Sequence, residues 1–549
     1  MHIYKIYKMI LVNLIFQSSS ARLYHKFRVI QCHYLSIFLY TTRVLQNSLF
    51  STFLKYIIFL FFLVLLSYIH FRGFISYDDG WFLWDGLRLL QGEKIYKDFH
   101  YLYNPGSLYI NALAFKLFGV SIFASRIMAF LNSVISILLL YLISKKITLH
   151  PVFSFFLISS YVLWGPGHIN FVWPVMFCLT AALATGTLFL YNNKTKHTLF
   201  LFLIGILAAY VFILKQNFGL AIFVTNIFYL IYHKEYRNHA SLLWYGTGYA
   251  SILVLQLMYF LYTNTLGFYL HEFYDYTIVK IVQHGILNSA LPWQYSAPFL
   301  MKVMKFFLYL SPLIASVLSA IMLYKKRGIS VLIYFPIIGI SYYLLSIRPT
   351  TDFIHLTPLI SLSLIPLYLL YQEAKQIKVK LLCVAIIFIC FFAGIYSAFY
   401  RNYYRWNTPL NKQNIYMNNS TLKIFTDSKE RDSITHIEEY YKKYAQNDSY
   451  TFIYYFTPIY YLILDKKNPT TYDDLQLGGV SVEEQKKIIA ILKKRNVNHI
   501  ITDVDITLDM SPIAHFIKNS YKKVLVVNEY TIWEMNNKES TTYISLWSL

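Results

Sequence analysis

Apolar residues in this chain gather into runs as long as a membrane helix. Eleven runs stand out: 53–71, 126–144, 150–164, 169–190, 198–214, 217–233, 240–263, 303–324, 329–347, 353–371 and 379–399. A bilayer-spanning helix needs about 20 predominantly apolar residues, so each run is read as a span. Runs 150–164 and 217–233 are short or abut their neighbours, which makes eleven an approximate count. Two stretches interrupt the series. In the 72–125 loop, Trp81, Leu83, Trp84, Leu87 and Leu90, and then Leu108, Leu113, Phe115, Leu117 and Phe118, predict amphipathic helices over 81–91 and 108–118. Their Trp and Tyr content places them at the membrane interface, with Pro105-Gly106 between them. The 265–302 loop has a similar aromatic, His- and Lys-dotted character.

After residue 400 the pattern changes to charged segments with short β-type runs. Strands are predicted at 450–456, 498–503, 524–528 and 531–535. Ser481-Val482-Glu483-Glu484 forms a capping box, opening a helix that runs to Arg495. The organisation is a basic N-terminal arm (1–52), a transmembrane domain (53–400) with its first large loop at 72–125, and a small α/β domain (401–549).

Composition supports the membrane reading. Apolar residues make up 57% of the chain and charged residues 14%, against nearly half and a quarter in ordinary soluble domains. The net charge of +22 would suggest a nucleic-acid partner in a soluble protein. Here the cations sit in alternate loops: Lys145-Lys146, Lys194 with Lys196, Lys234 with Arg237, Lys325-Lys326-Arg327, and Lys375 with Lys378 and Lys380. That is the positive-inside pattern. It sets these loops on the cytoplasmic side, the 72–125 loop and the 401–549 domain on the other, and argues against nucleic acid. Residues 1–20 resemble a weak signal peptide, but Arg22, Lys26, Arg28 and Arg43 follow before the first good span and favour a cytoplasmic arm. Four cysteines show no metal-ligand spacing, and Cys383 and Cys390 share one helix face as packing residues.

The first 77 residues carry eight Lys and Arg and no acid; the first carboxylates are the adjacent pair Asp78-Asp79, just past a span. Acids near a membrane surface are costly unless a site uses them. One of the two can act as a general base on an acceptor hydroxyl while the other orients it; the bland reading is a solvated Asp-Asp-Gly turn at a helix start. Lys215 lies between two apolar runs, either snorkelling to the surface or holding a phosphate. Arg348 and His355, in Arg348-Pro349-Thr350-Thr351-Asp352-Phe353-Ile354-His355, can grip phosphate or sugar oxygens or form an ordinary polar loop. Arg126 reads as an interfacial anchor or a further cation, and Asp98 as a second acidic contact. No phosphate loop, dinucleotide fingerprint or zinc helix is present. Asp503-Val504-Asp505 has a metal–nucleotide form but ends a predicted strand with no nucleotide unit around it.

Taken in order, Asp78-Asp79-Gly80, Leu90-Gln91-Gly92-Glu93-Lys94-Ile95-Tyr96-Lys97-Asp98, Asn104-Pro105-Gly106, Phe118-Gly119 and Ser125-Arg126 resemble the first-loop pattern of the GT-C fold membrane glycosyltransferases. The similar branch holds protein O-mannosyltransferases, the lipid A aminoarabinose transferase and RgtA/B/C/D-like enzymes. Lys215-Gln216-Asn217, Arg348 to His355, Pro458-Ile459-Tyr460-Tyr461-Leu462 and Asn468-Pro469-Thr470 extend the resemblance over most of 50–540. It implies a GT-C-like transmembrane domain with an extracytoplasmic α/β domain, in the bacterial plasma membrane. The activity it implies is inverting transfer of a sugar from a polyprenyl-phosphate carrier to a lipid, glycan or protein acceptor. Asp78 then becomes the base with Asp79 as its partner, and Lys215, Arg126 and Arg348 become candidate phosphate cations, with Asp98 and His355 as further substrate contacts. Two departures stand out: Asp-Asp replaces the usual Asp-Glu, and His168-Ile169-Asn170 lies where relatives place another acid. No cofactor is indicated, and these departures leave metal use open. The alternative of another class is a lipid-linked-sugar flippase, for which these spans are poor in charge; a catalytically silent scaffold is a third.

Overall fold

The computed structural model describes residues 48–536, apart from 75–76, 196, 235, 276–298, 328–329, 348–352, 401–407, 455–456, 474–479, 504 and 508. Residues 1–47 of the basic N-terminal arm, and Arg348, therefore lie outside the described residues.

A helix forms at each of the eleven apolar runs, with two more in the first loop. In order these are α1 (Ser48–His70), the loop helices α2 (Asp78–Leu90) and α3 (Gly106–Phe118), then α4 (Ile122–Lys146), α5 (Pro151–Trp164), α6 (Pro174–Thr195), α7 (Thr198–Leu214) and α8 (Gln216–Tyr232). There follow α9 (His239–Tyr262), the short α10 (Leu266–Glu272), α11 (Phe299–Arg327), α12 (Tyr334–Ile347), α13 (Phe353–Glu373) and α14 (Ile377–Ile395). The chain is a multi-pass membrane protein, but its spans are less uniform than the hydropathy pattern suggests. Among the described residues α1, α4, α6 and α14 contain the four apolar stretches long enough to cross a bilayer, and α9 with α10, bent by 112°, makes a fifth if the pair is one span. Helices α5, α7 and α8 are shorter. Local chemistry sets those limits: Pro151 starts α5 and Gly165-Pro166-Gly167 follows its end, while the extended backbone of Lys215 separates α7 from α8.

The C-terminal unit, called the outer unit below because it lies outside the helix bundle, begins with a hairpin of β1 (Ile415–Met417) and β2 (Ile424–Thr426), followed by α15 (Ser428–Tyr444). A four-stranded sheet comes next, ordered β3-β4-β6-β5: β3 (Phe452–Tyr454), β4 (His499–Thr502), β5 (Tyr521–Val527) and β6 (Tyr530–Met535). Strands β3 and β4 are parallel; β4–β6 and β5–β6 are antiparallel. All four strands expected from sequence are present. Helices α16 (Ile459–Leu464), α17 (Val482–Lys494) and α18 (Pro512–Ser520) complete the unit, and α17 opens with both reciprocal bonds of the Ser481–Glu484 capping box. The hairpin and α18 carried no clear sequence signal.

Two apolar cores meet at the first loop. Trp81 and Phe82 of α2 join the core of the helix bundle. Leu83, Trp84 and Leu87 join a second core with Ala114, Ile459, Tyr461, Ile501 and Ile532. Helix α2 is thus buried from Asp78 to Arg88 between bundle and outer unit, rather than lying on the membrane interface as its amphipathic pattern suggests. Polar positions that would face headgroups are covered by the outer unit. Helix α3 keeps Leu113, Leu117 and Phe118 exposed, as an interfacial helix would. Directly after α1, the chain bonds to β2: Gly73 N–H donates to Phe425 O (2.7 Å) and Phe425 N–H to Phe71 O (3.0 Å).

Candidate active site

Asp78 and Asp79 occupy the first turn of α2, where a carboxylate meets the positive end of the helix dipole. They are not a solvated turn: their residues are 4% and 1% exposed. Asp79 is bound by the guanidinium of Arg126, which is itself wholly buried. That guanidinium also donates to Asn170 Oδ1 (2.7 Å) and Gly73 O (2.8 Å). Asn170 in turn donates to the Ile69 and Arg72 carbonyls (2.9 and 2.6 Å). His70 bridges the Asn170 carbonyl (2.9 Å) and Ser133 Oγ (3.0 Å). The end of α1, the start of α2 and the start of α4 are therefore fixed around one buried cation. A buried charge requires such partners.

The first-loop motifs complete the frame. Ser125 donates to Asn111 Oδ1 (2.7 Å), and Asn111 donates to Phe82 O (3.0 Å). Asn104 donates to the carbonyl of Phe212 (2.7 Å), at the end of α7. A Cβ at position 106 would stand 2.8 Å from the Ile213 carbonyl oxygen, so a glycine is required there for Asn104-Pro105-Gly106 to dock on the helix break.

Lys215 occupies that break. Its residue is 5% exposed, and its Nζ lies 5.2 Å from the Tyr103 ring, 5.4 Å from Phe218 and 6.0 Å from Trp173, within cation–π reach. A continuous aromatic cluster joins this cation to the acid pair. Trp81, two residues past Asp79, lies 6.0 Å from Tyr103; Phe82 lies 5.5 Å from Trp173; and Phe171 lies 5.6 Å from Trp173 and 5.8 Å from the Arg126 guanidinium.

Asp98 stands apart from this cluster. It closes its own loop, its carboxylate accepting from Lys94 N–H (2.7 Å) and its carbonyl from Arg88 (2.9 Å). His355 lies in the first turn of α13, with its side chain outside what is described. Among the described residues no three His, Cys, Asp or Glu side chains cluster to hold a metal ion.

Sequence reasoning missed another buried cation. Arg88, at the far end of α2, donates to Asp473 (2.6 Å), Glu93 (2.7 Å) and Asp98 O, and Trp84 Nε1 donates to Asp473 (2.8 Å). Asp85 lies beside them, fully buried, and burial together with the Asp473 charge pushes its carboxyl well above the usual range despite Arg88. The only sequence signal was the i, i+4 spacing of Trp84 and Arg88, which also describes an ordinary amphipathic helix.

Comparison with known proteins bears on this arrangement. Residues 104–261 match the dolichyl-phosphate-mannose-protein mannosyltransferase family. Two crystal structures of ArnT from Cupriavidus metallidurans share the architecture over nearly their whole length. The apo form aligns with a TM-score of 0.53 at 12% identity, covering 88% of this chain and 98% of ArnT. The undecaprenyl-phosphate complex gives 0.52 at 10%, covering 87% and 97%. The chain has the fold of ArnT. An Archaeoglobus fulgidus oligosaccharyltransferase tethered to an acceptor peptide aligns more loosely, at a TM-score of 0.49 and 10% identity over 90% of this chain and 75% of that one. No curated protein matches the sequence significantly. The region matched by the mannosyltransferase family runs from Asn104 through Arg126 and Lys215, so it takes in the helix break and the buried cation but not the acid pair.

Proposed function

We propose that this enzyme transfers a sugar from a polyprenyl-phosphate carrier to an acceptor hydroxyl at the extracytoplasmic face, with inversion. The observation that carries the reading is the aromatic cluster that links Asp78-Asp79 at one end to Lys215 at the other. Asp78 is assigned to proton transfer, with Asp79, ion-paired to Arg126, as its partner. It accepts the acceptor's hydroxyl proton as that oxygen bonds to the anomeric carbon. The bond from the anomeric carbon to the phosphate oxygen breaks, and the phosphate departs with the electron pair. Lys215, at the N-terminus of α8, stabilises its growing charge. Arg126 is assigned to orienting Asp79, since its side chain is enclosed. The break between α7 and α8 suits a carrier whose headgroup lies at the surface and whose chain stays in lipid. Replacing Asp78 with Asn tests the assignment: labelled sugar transfer from membrane lipid extract should be lost with membrane insertion and carrier binding intact. Unchanged transfer would move the base elsewhere.

A further inference from the structure

Three contacts at successive turns join one face of α2 to the outer unit. At Gly80, a Cβ would stand 2.7 Å from the backbone nitrogen of Ile459, so the backbone of α2 meets the start of α16 with no side chain between them. Four residues on, the Trp84 ring lies 5.0 Å from Tyr461, and its Nε1 donates to Asp473. Four further on, Arg88 makes its 2.6 Å ion pair with Asp473. Residues at this spacing lie along one helix face. Asp473 is held in place by Asn468 (2.6 Å), and its side chain is 1% exposed. A charge pair buried this deeply is costly to assemble and fixes geometry rather than adding stability.

We propose that Asp473 is a positioning residue for sugar transfer: by gripping Trp84 and Arg88 it fixes the direction of the short helix whose first turn presents Asp78. The outer unit is then a working part of the catalytic frame. Helix α2 has only 13 residues. Its first turn is tied to the bundle through Asp79 and Arg126, and its last turn to the outer unit through Arg88 and Asp473. Loosening the second tie lets the axis tilt, and tilting moves Asp78 relative to Lys215, which belongs to the bundle. Donor binding at Lys215 does not depend on this tie. The consequence is a loss of turnover with donor affinity retained.

This inference rests on the reading of the site as a polyprenyl-phosphate-sugar transferase, and the test separates the two. Trp84→Phe removes the indole N–H from Asp473 while keeping a ring on Tyr461; Asp473→Asn removes the charge facing Arg88 at nearly constant shape. Both full-length variants, purified in detergent, are assayed with a polyprenyl-phosphate sugar that the wild type uses. The expected result is a fall in kcat of about tenfold for Asp473→Asn and severalfold for Trp84→Phe, as small misplacements of reacting groups produce. Donor KM should stay within about twofold, because ground-state binding is untouched. Asp473→Glu should recover part of the loss. Wild-type kcat in Trp84→Phe, or a rise in donor KM that accounts for the loss, overturns the positioning role. Failure of the wild type to transfer from any polyprenyl-phosphate sugar overturns the functional reading instead.

Discussion

Arg126 closes on Asp79 inside the protein, joining the first turn of α2 to the first turns of α4 with neither side chain open to solvent. Removing one partner of such a pair strands a charge. Arg126→Ala is therefore expected to destabilise the protein by about 3–5 kcal/mol, and Arg126→Ala with Asp79→Ala by less than the two single changes summed. Thermal unfolding of the detergent-solubilised variants, read as a double-mutant cycle, measures the coupling. Additive losses would show that the pair is not coupled.

Lys215→Gln removes the cation assigned to the leaving phosphate and leaves its aromatic surroundings. The expected cost is roughly 10²–10³-fold in kcat, as for other transition-state charge stabilisers, with a thermal midpoint near that of the wild type. Lys215→Arg should recover a fraction of the activity. A kcat within twofold of wild type in Lys215→Gln would remove the assignment.

Gly80→Ala drives a methyl group toward the Ile459 backbone, and Gly86→Ala drives one to 2.7 Å from Asn111 Cβ. Each should cost about 1–3 kcal/mol through overpacking. Only the first meets the outer unit, so hydrogen exchange should rise across 457–464 in Gly80→Ala and across α3 in Gly86→Ala.

Asp85 has a folded-state pKa raised by burial. Such a group carries its full contribution below the ordinary carboxylate range, and stability is lost as pH rises above it. Asp85→Asn places a neutral group of the same size there. It should leave the thermal midpoint near pH 4 almost unchanged and raise it at neutral and alkaline pH. An equal shift at both would mean that ionisation is not the cause.

Glu430, in the first turn of α15, is raised from 4.5 to about 8, chiefly by burial and then by the nearby Glu529 and Asp427, against Lys429. The sign is the same: its contribution is complete below about pH 4.5 and lost as pH rises toward 8. Glu430→Gln should flatten the fall in outer-unit stability across that window, measurable by hydrogen exchange across α15 and β6 as a function of pH.

Much of this arrangement was legible in the sequence because it was written in local patterns. Each apolar run gave a helix, and Ser481-Val482-Glu483-Glu484 gave its capping box. The placement of Asp78-Asp79 after the first span pointed to the buried acid pair. Lys215 was ambiguous in the sequence because an apolar run gives no sign of a break that extended backbone at a single residue creates. Arg88, Asp85 and Asp473 were illegible for another reason. Arg88 and Asp473 lie 385 residues apart, and no periodicity reports a partner that distant. The covering of α2 was hidden likewise, since an amphipathic helix facing headgroups and one capped by a folded unit share a pattern.

The stripe of Gly80, Trp84 and Arg88 also bears on how such enzymes can be recombined. An outer unit taken from a relative would bring its own counterparts of Ile459, Tyr461 and Asp473 to a helix that remained with the host. A chimaera joined near residue 400 divides that lock from its key, whereas one that exchanges 78–90 along with the outer unit keeps them matched.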